Sequence, residues 1–314
     1  MKSFYKIHLI QVISVIVITF FISCSKERTE DKVTANSYAP MDDFYNNNAP
    51  TEQTFTIDSL GGDTIRAANG TKIWGIPKTI FMYKSNHLDI FYPFTIKLIE
   101  AYSMKNMILE RLQNVAQNQI LQSAGELKVT AFKDTSTLLL KQNCGLHMWS
   151  PSSTTPPDAS MKVYYGFTKI SSNDWNMDVT QTDFLFSPDT VTKLSISGSG
   201  YSTKITKLGW VSINHTFSTS NSNITFSVSG TNTNTNYIDL YVIFKNRHSF
   251  IKVSSFAANN LPSGEPITVF AMAKDSNGQM YYFKQDYTIS NGLQVTINMT
   301  SSTSSQILTL MGSL

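Results

Sequence analysis

The residue best placed for chemistry in this sequence is a cysteine that follows an apolar N-terminal stretch. The apolar stretch spans residues 9–22, and two lysines precede it. It is shorter than the ~20 residues that a helix needs to cross a bilayer. The small residue Ser23 ends the stretch, and Cys24 follows it. A charged start, a short apolar run and a small residue before the cleavage point are typical of an exported, processed segment. We therefore expect residues 1–23 to be a lipoprotein signal peptide, with lipid attached to Cys24.

One residue in this stretch leaves an alternative open. Phe21 stands where lipoprotein cleavage sites usually have Leu, Val or Ile. The same stretch could then be an ordinary secretory peptide or an N-terminal anchor, in which Cys24 merely lies at the boundary. No other segment is apolar for long enough to span a bilayer, so we expect everything after Cys24 to be soluble.

The charge balance of the remaining chain argues against one class of partner. The full sequence has 25 basic and 22 acidic side chains. Residues 1–23 contain two of the lysines and no acid, so the mature chain has 23 basic residues against 22 acidic ones. A nucleic-acid-binding protein would need a concentrated basic surface. We expect no nucleic-acid partner, and membrane attachment through lipid chains, which hold firmly when several are present.

The second cysteine, Cys144, has no partner for a disulfide once Cys24 carries lipid. Burial alone must then stabilise the exported chain. We interpret Cys144 as a small buried apolar residue rather than a nucleophile.

Sequence patterns for catalysis are absent. The histidines of the mature chain (His87, His147, His215 and His248) have no i, i+4 spacing, and no paired-cysteine zinc motif occurs. No G-x-S-x-G elbow marks a serine nucleophile, and no spacing singles out a pair of carboxylates. We therefore expect no catalytic residue, no metal site and no cofactor. We place His147 at the end of a strand, and His215 in a loop or at a sheet edge.

Aromatic side chains make up 12% of the sequence and are the best candidates for ligand binding, because exported sandwiches often bind sugars by ring stacking. Adjacent tyrosines occur at 164–165 and at 281–282, and in a strand one member of each pair must face outward. The alternative is that these rings fill the core and cover the sheets. The candidate stacking residues are Trp175, Trp210, Tyr165 and Tyr281.

The patterns that must position these residues are those of short strands. Alternation of apolar and polar residues predicts strands at 55–57, 71–74, 94–98 and 126–130. Residues 103–112 are the exception, since their apolar residues recur at helical spacing behind Ser103, which can cap a helix. We expect a short helix covering an open end of a sandwich, with a methionine-rich partner site as the alternative.

Composition divides the mature chain into four segments. Residues 24–52 are polar and predict a flexible tether. Within it, charges at Lys26, Glu27, Glu30 and Asp31 resemble a surface-sorting signal, or belong to a solvated linker. Residues 150–159 are rich in Ser, Thr and Pro and predict a linker. We therefore expect an all-β protein with two β-sandwich domains in tandem, at 53–149 and 160–314, the first carrying the helix.

The order of several motifs resembles a group of uncharacterised Bacteroidota-type cell-surface lipoproteins. The first region resembles the β-sandwich module of ankyrins and netrin receptors, through Asn69-Gly70-Thr71-Lys72-Ile73 and Leu121-Gln122-Ser123-Ala124-Gly125-Glu126-Leu127. In the second region, the resemblance depends on Leu208-Gly209-Trp210 and Leu261-Pro262-Ser263-Gly264-Glu265-Pro266. Relatives often continue the Leu-Gly-Trp motif with an Asn-Cys-Asp-like stretch, where this chain has Val211-Ser212-Ile213-Asn214-His215. The resemblance implies an architecture and an address, and no catalytic residues.

These observations lead to one expected function and two alternatives. We expect a lipid-anchored protein of the cell outer membrane that acts as a non-enzymatic binding or structural module for an envelope protein or a glycan. The first alternative is a glycan-binding surface lipoprotein of a polysaccharide-uptake system. The second is a hydrolase with a scattered site.

Overall fold

The computed structural model describes residues 38–58, 64–116, 119–153, 156–168, 184–217, 220, 222–229 and 235–314. These residues belong to a single compact unit. Across these ranges, no helix combines the length and the apolar character that a bilayer crossing requires.

Strands account for most of the regular structure. Those before residue 218 are β1 (Tyr38–Ala39), β2 (Gln53–Ile57), β3 (Ile65–Arg66), β4 (Lys72–Trp74), β5 (Phe81–Tyr83), β6 (Phe94–Ala101), β7 (Val115–Ala116), β8 (Gln119–Lys133), β9 (Ser136–Leu140), β10 (Leu146–Pro151), β11 (Lys162–Thr168), β12 (Phe184–Pro188), β13 (Leu194–Ser197), β14 (Gly200–Ile205) and β15 (Gly209–Thr216). Those after it are β16 (Ser222–Val228), β17 (Asp239–Phe244), β18 (Ser249–Val253), β19 (Ala257–Leu261), β20 (Pro266–Asp275), β21 (Met280–Thr288), β22 (Leu293–Ile297) and β23 (Thr300–Ser302).

Short helices complete the fold. The α-helices are α1 (Asp42–Asn48), α2 (Met104–Leu109) and α3 (Ser304–Met311), and two 3₁₀ turns span Thr235–Tyr237 and Lys245–Arg247.

Two sheets enclose the first core. Sheet 1 has the order β12-β11-β15-β8-β6-β2, and sheet 2 has the order β13-β14-β10-β4-β3. Apolar side chains from both sheets, including Ile96, Val211, Ile73 and Met148, pack into one buried cluster between them. The two sheets therefore form a sandwich with one face of each turned inward.

A second pair of sheets follows. Sheet 3 has the order β18-β17-β20-β21-β23, with β1 paired to the end of β20, and sheet 4 has the order β19-β16-β22. Val242 and Val269 of sheet 3 meet Ile224 and Val295 of sheet 4 in a second buried cluster. The opposite face of sheet 3, including Tyr241, is covered by the helices, so sheet 3 is buried on both sides.

The structure confirms the all-β fold class, and strands lie where alternation predicts them. The predicted short helix is present as α2, but it covers a face of sheet 3 rather than an open end of a sandwich. Ser103 caps α2 by accepting a hydrogen bond from the backbone N–H of Asn106 at 3.2 Å. Met104 and Met107 are buried against sheet 3, so they are core residues and not a methionine-rich surface.

The domain division differs from the predicted one. The predicted linker at 150–159 begins inside β10, which is paired with β4 on one side and β14 on the other. Beyond the linker, β15 pairs with β8, so sheet 1 contains strands from both predicted domains. A proline at the last residue of a strand does not prevent pairing. The Ser/Pro-rich composition therefore marks a loop within the first sandwich, and the second sandwich begins at β16.

The predicted tether is also shorter than expected. Its C-terminal part forms β1 and α1 and packs on sheet 3. Met41, Phe44 and Tyr45 are buried and lie on one face of a helical turn. The segment is polar on average, so its composition does not reveal these three apolar side chains on one face. Residues 24–37 of the predicted tether, which include Cys24, lie outside the described residues.

Candidate functional site

The outward face of sheet 2 carries a distinctive set of side chains, some of which are exposed and some half-buried, the tryptophans among the latter. Along β4 and β10 the residues alternate strictly, with Ile73 and Met148 buried and their neighbours turned to solvent. We call the outward set the aromatic–basic face. Its members are Arg66, Lys72, Trp74, His147, Trp149, Ser195, Ser202 and Lys204.

Strand register orders this face into rows, because directly paired residues of antiparallel strands point to the same side. One row runs Arg66–Lys72–Trp149–Ser202–Ser195 across five strands. The next row runs Trp74–His147–Lys204. Aromatic rings therefore occupy the middle of the sheet, with cationic side chains on both sides.

Contacts within the face fix the positions of its rings. The rings of Trp74 and His147 are nearly parallel, with centroids 5.7 Å apart and an angle of 16°. The indole N–H of Trp149 donates a hydrogen bond to the carbonyl oxygen of Ser197 at 2.9 Å. The ammonium group of Lys72 lies 5.0 Å from the centroid of the Trp149 ring, within cation–π range.

Two glycines allow rings to lie close to the backbone. A Cβ atom at Gly200 would come 2.7 Å from Cζ2 of Trp149, and one at Gly75 would come 2.9 Å from Cδ2 of His147. A side chain at either position would displace the Trp149 or His147 ring that lies over it. Each ring therefore lies across a neighbouring chain segment.

The charge of this face has one sign. Arg66, Lys72 and Lys204 belong to it, and none of its described members is acidic. Basic residues elsewhere, such as Lys97 and Lys245, form ion pairs with acids. No ion pair joins the three cations of the face to any acid of the described ranges.

A cleft of about 440 Å³ continues the face at one end. Pro151 follows Trp149 by two residues on β10 and forms one wall of the cleft, close to Gly70. None of the residues that line the cleft is acidic or basic. The other lining residues carry amides and hydroxyls, and they are Asn69, Tyr102, Ser103, Asn106, Ser152 and Ser153.

A buried carboxylate holds the wall of this cleft. Glu100 accepts hydrogen bonds from the backbone N–H groups of Asn69 at 2.7 Å and Thr71 at 3.0 Å, and from the Gln53 amide at 3.0 Å. The hydroxyls of Thr71 and Tyr102 lie 2.6 Å apart. Burial raises the pKa of Tyr102, so its hydroxyl stays neutral.

The aromatic residues selected from the sequence do not meet in one place. Tyr165 is 7% exposed and lies in the first core, with its hydroxyl accepting from the backbone N–H of Thr206 at 2.8 Å. Tyr281 is half-buried over the second core. Trp210 is half-buried at the helical layer and lies 5.8 Å from the Lys128 ammonium. Trp175 lies outside the described residues.

The expectation of an exposed ring in each tyrosine pair was wrong. The strands that carry the pairs are covered on both faces, so each member meets a buried cluster. Tyr164 packs beneath Trp210 while Tyr165 enters the first core, and Tyr281 and Tyr282 enter the clusters on opposite sides of sheet 3.

Other titratable groups are scattered. Across the described ranges, no three His, Cys, Asp or Glu side chains come together as a metal site would require. Cys144 is half-buried against the first core. His215 was expected in a loop or at an edge, but it lies on β15 inside sheet 1, with Nδ1 3.2 Å from Asp158 Oδ2. His147 is within β10 and joins the aromatic–basic face.

Sequence reasoning missed this face although its signal was present. Lys72 and Trp74 have i, i+2 spacing, and so do His147 and Trp149. Each pair occupies the polar positions of a strand whose alternate residues are apolar. An aromatic ring at the polar position of an alternating strand was therefore the signal. The pairing of β4 with β10, about seventy residues apart, could not be read from it.

Comparison with protein-family models finds no match for this chain, and a search among curated proteins finds no relative. The resemblance to Bacteroidota-type lipoproteins stays a prediction.

Proposed function

We propose that this protein is a non-enzymatic, glycan-binding module of the cell envelope, held at the membrane through lipid on Cys24. Its binding surface is the aromatic–basic face of sheet 2. The observation that carries this proposal is the placement of the half-buried Trp74 and Trp149 on the solvent side of sheet 2, with His147 beside them.

The chemistry of this surface matches that of a sugar chain. A pyranose ring has C–H groups on its faces and hydroxyls at its edges, so it is recognised by flat aromatic rings bordered by hydrogen-bonding groups. Trp149 is held flat by Gly200 and by its bond to the Ser197 carbonyl. Because these rings are already fixed, little conformational entropy is lost when a ligand stacks on them.

The dimensions suit an extended chain rather than a single sugar. His147, Trp149 and Pro151 follow one another at alternate positions of β10 and span about 13 Å. Beyond Pro151 the cleft presents the amides of Asn69 and Asn106. A polysaccharide lying along β10 would stack on the rings and place its hydroxyls against the cleft.

Alanine variants of the two tryptophans test this function. The full chain, purified in detergent, is presented to a panel of immobilised neutral and acidic polysaccharides. We expect Trp74→Ala and Trp149→Ala each to weaken binding about tenfold, because each removes a stacking ring. Phe91→Ala is the control, since Phe91 is 57% exposed but lies on the loop before β6.

Two results would overturn the proposal. One is the absence of binding to every polysaccharide on the panel. The other is binding that survives the loss of both tryptophans. Trp149→Phe keeps an aromatic ring at this position while it removes the hydrogen bond to Ser197. The variant therefore tests the contribution of ring stacking separately from the contribution of that hydrogen bond.

The anchor has an independent test. We expect Cys24→Ala to abolish labelling of the protein by a fatty-acid analogue in cells. Labelling that persists in this variant would contradict lipid attachment at Cys24.

A further inference from the structure

We propose that the glycan is acidic and that the cations of the aromatic–basic face contact its carboxylate or sulfate groups. This inference rests on the glycan-binding function proposed above. It names the chemical class of ligand that the same face selects.

The described members of the aromatic–basic face include no compensating acid. Arg66 and Lys204 are exposed and Lys72 is half-buried, and none of them pairs with an acid in the described parts of the chain. Ion pairs do occur elsewhere on the surface, and they include Lys97–Glu52, Lys141–Asp89, Lys245–Asp286, Lys252–Asp239 and Arg247–Glu265. The positive charge on this face therefore remains available to a ligand.

Lys72 lies over one of the two tryptophan rings. Its ammonium lies 5.0 Å from the centroid of the Trp149 ring, over the surface on which a sugar would stack. A sugar taking that place leaves the ammonium at the edge of the ring, beside the substituents of the same sugar. A carboxylate or sulfate there restores the interaction that Lys72 loses with the indole.

The cations of the face are distributed over more than one strand. Lys72 lies on β4 and Lys204 on β14, with β10 between them and the two residues in adjacent rows. Strand spacing and rise place their Cα atoms about 12 Å apart. An extended chain with repeated anionic groups that lies along β10 meets cations on both sides of that strand. A polyanionic glycan therefore matches this distribution of cations.

Exposed ion pairs contribute little each and are screened by salt. The tryptophans therefore supply most of the affinity, and the cations distinguish charged from neutral chains. This division allows the two proposals to be tested separately.

The experiment compares polysaccharides that differ only in charge. Binding of the full chain in detergent is measured to polygalacturonate and to its fully methyl-esterified form, and to dextran sulfate and to dextran. The test variant is Lys72→Gln with Lys204→Gln. The control is Lys97→Gln with Lys245→Gln, which removes the same charge from two cations that are ion-paired elsewhere. Single-stranded poly(dT) is included as a competitor.

The expected result is tighter binding of at least one charged polysaccharide than of its neutral form, with sensitivity to salt. The test variant should then bind the charged form about threefold to tenfold more weakly, and the control should be unchanged. Preference for polygalacturonate assigns a carboxylated ligand, and preference for dextran sulfate assigns a sulfated one.

Three results would overturn the inference. If charged and neutral forms bind equally and Trp74→Ala weakens both, the glycan is neutral and the glycan-binding function stands. If poly(dT) binds more tightly than every polysaccharide and displaces them, the face is a nucleic-acid site. If none of the four polysaccharides binds, the acidic-glycan inference fails together with the proposed function.

Discussion

Gly200 lies directly beneath the indole ring of Trp149. A Cβ atom at residue 200 would come 2.7 Å from Cζ2 and 2.9 Å from Cε2 of that ring, and closer still to the carbonyl oxygen of Ser150 on the paired strand. The absence of a side chain at this position lets the ring cross β14 and reach the Ser197 carbonyl. A glycine in one strand thus determines the orientation of an aromatic ring in the next.

We expect Gly200→Ala to destabilise the protein and to weaken glycan binding at the same time. The new methyl group overlaps both the indole and backbone oxygen, so the backbone must shift as well as the ring. Overpacking of this kind costs about 1–3 kcal/mol. The free energy of unfolding from urea titration and the affinity for the best polysaccharide are the two measurements.

Gly198→Asn is the matched control for this glycine. Gly198 has φ +61°, and a Cβ there would meet no atom within 4 Å. Asparagine tolerates this left-handed conformation, so the change should cost under about 1 kcal/mol and leave binding intact. Equal effects at the two glycines would refute the role assigned to Gly200.

A second prediction concerns the buried Glu126. Its Oε1 accepts a hydrogen bond from the Asn114 amide at 2.7 Å, and its Oε2 has no hydrogen-bond partner among the described residues. Burial raises the pKa of Glu126 well above its usual value, so the folded protein holds its proton where the unfolded chain releases it. The contribution of Glu126 to the free energy of unfolding is therefore complete below about pH 4.3. It decreases as the pH rises toward the folded pKa.

We expect Glu126→Gln to be more stable than the parent at pH 8 and close to it near pH 4. The melting temperature at pH 8 should rise by at least about 2 °C, the shift that about 1 kcal/mol produces in a domain of 150–250 residues. Burial also lowers the pKa of His248, which weakens the fold in acid, but this contribution is common to both proteins and cancels. A difference in stability that does not change between pH 5 and pH 8 would contradict the prediction.

Glu100→Gln should have the opposite effect, although Glu100 is also buried. Its two oxygens accept from the backbone N–H groups of Asn69 and Thr71 and from the Gln53 amide. Both carboxylate oxygens of Glu100 face N–H donors, so a glutamine in either amide orientation would place its NH₂ group against a donor. We expect a loss of about 3 kcal/mol at pH 7, measured by urea unfolding, and a disordered cleft wall.

Glu52→Gln is the control for that substitution. Glu52 makes an exposed ion pair with Lys97, and such pairs contribute about 0.2–1 kcal/mol. A Glu100 variant as stable as the Glu52 variant would show that the buried network does not hold the cleft.

Local patterns predicted the secondary structure well, and they failed where long-range pairing decides. Alternation at 71–74 and at 94–98 identified strands because one residue in two must face a core. The pairing of β15 with β8 joins residues about ninety positions apart, and composition contains no record of it. For the same reason, composition predicts a domain boundary where the chain has a Ser/Pro-rich loop.

The candidate site was missed because exposure depends on what covers each face. Tyr165 and Tyr281 sit in strands whose two faces are both covered, so their rings are at least partly buried. Trp74 and Trp149 are also half-buried, but they sit in a sheet with one open face, so part of each ring faces solvent. The sequence contains the same aromatic signal in both cases, and only the layering of the sheets separates them.

The last prediction concerns α1, which lies where the composition predicts a flexible tether. Phe44 is 5% exposed, and it packs in the cluster that contains Tyr241 and Phe270 of sheet 3. Removing its ring leaves a cavity over sheet 3, and such truncations cost about 3–5 kcal/mol. We expect Phe44→Ala to lower the free energy of unfolding by about 3 kcal/mol or more.

Asp43→Ala is the matched control within the same helix. The Asp43 side chain is 85% exposed, and its carboxylate is 3.7 Å from the Lys274 ammonium. Its loss should change stability by no more than about 0.5 kcal/mol, because exposed ion pairs contribute little. If this segment were a tether, both substitutions would leave the urea midpoint unchanged. A large loss for Phe44→Ala alone would place α1 within the folded body, so that any flexible connection to the membrane must end before β1.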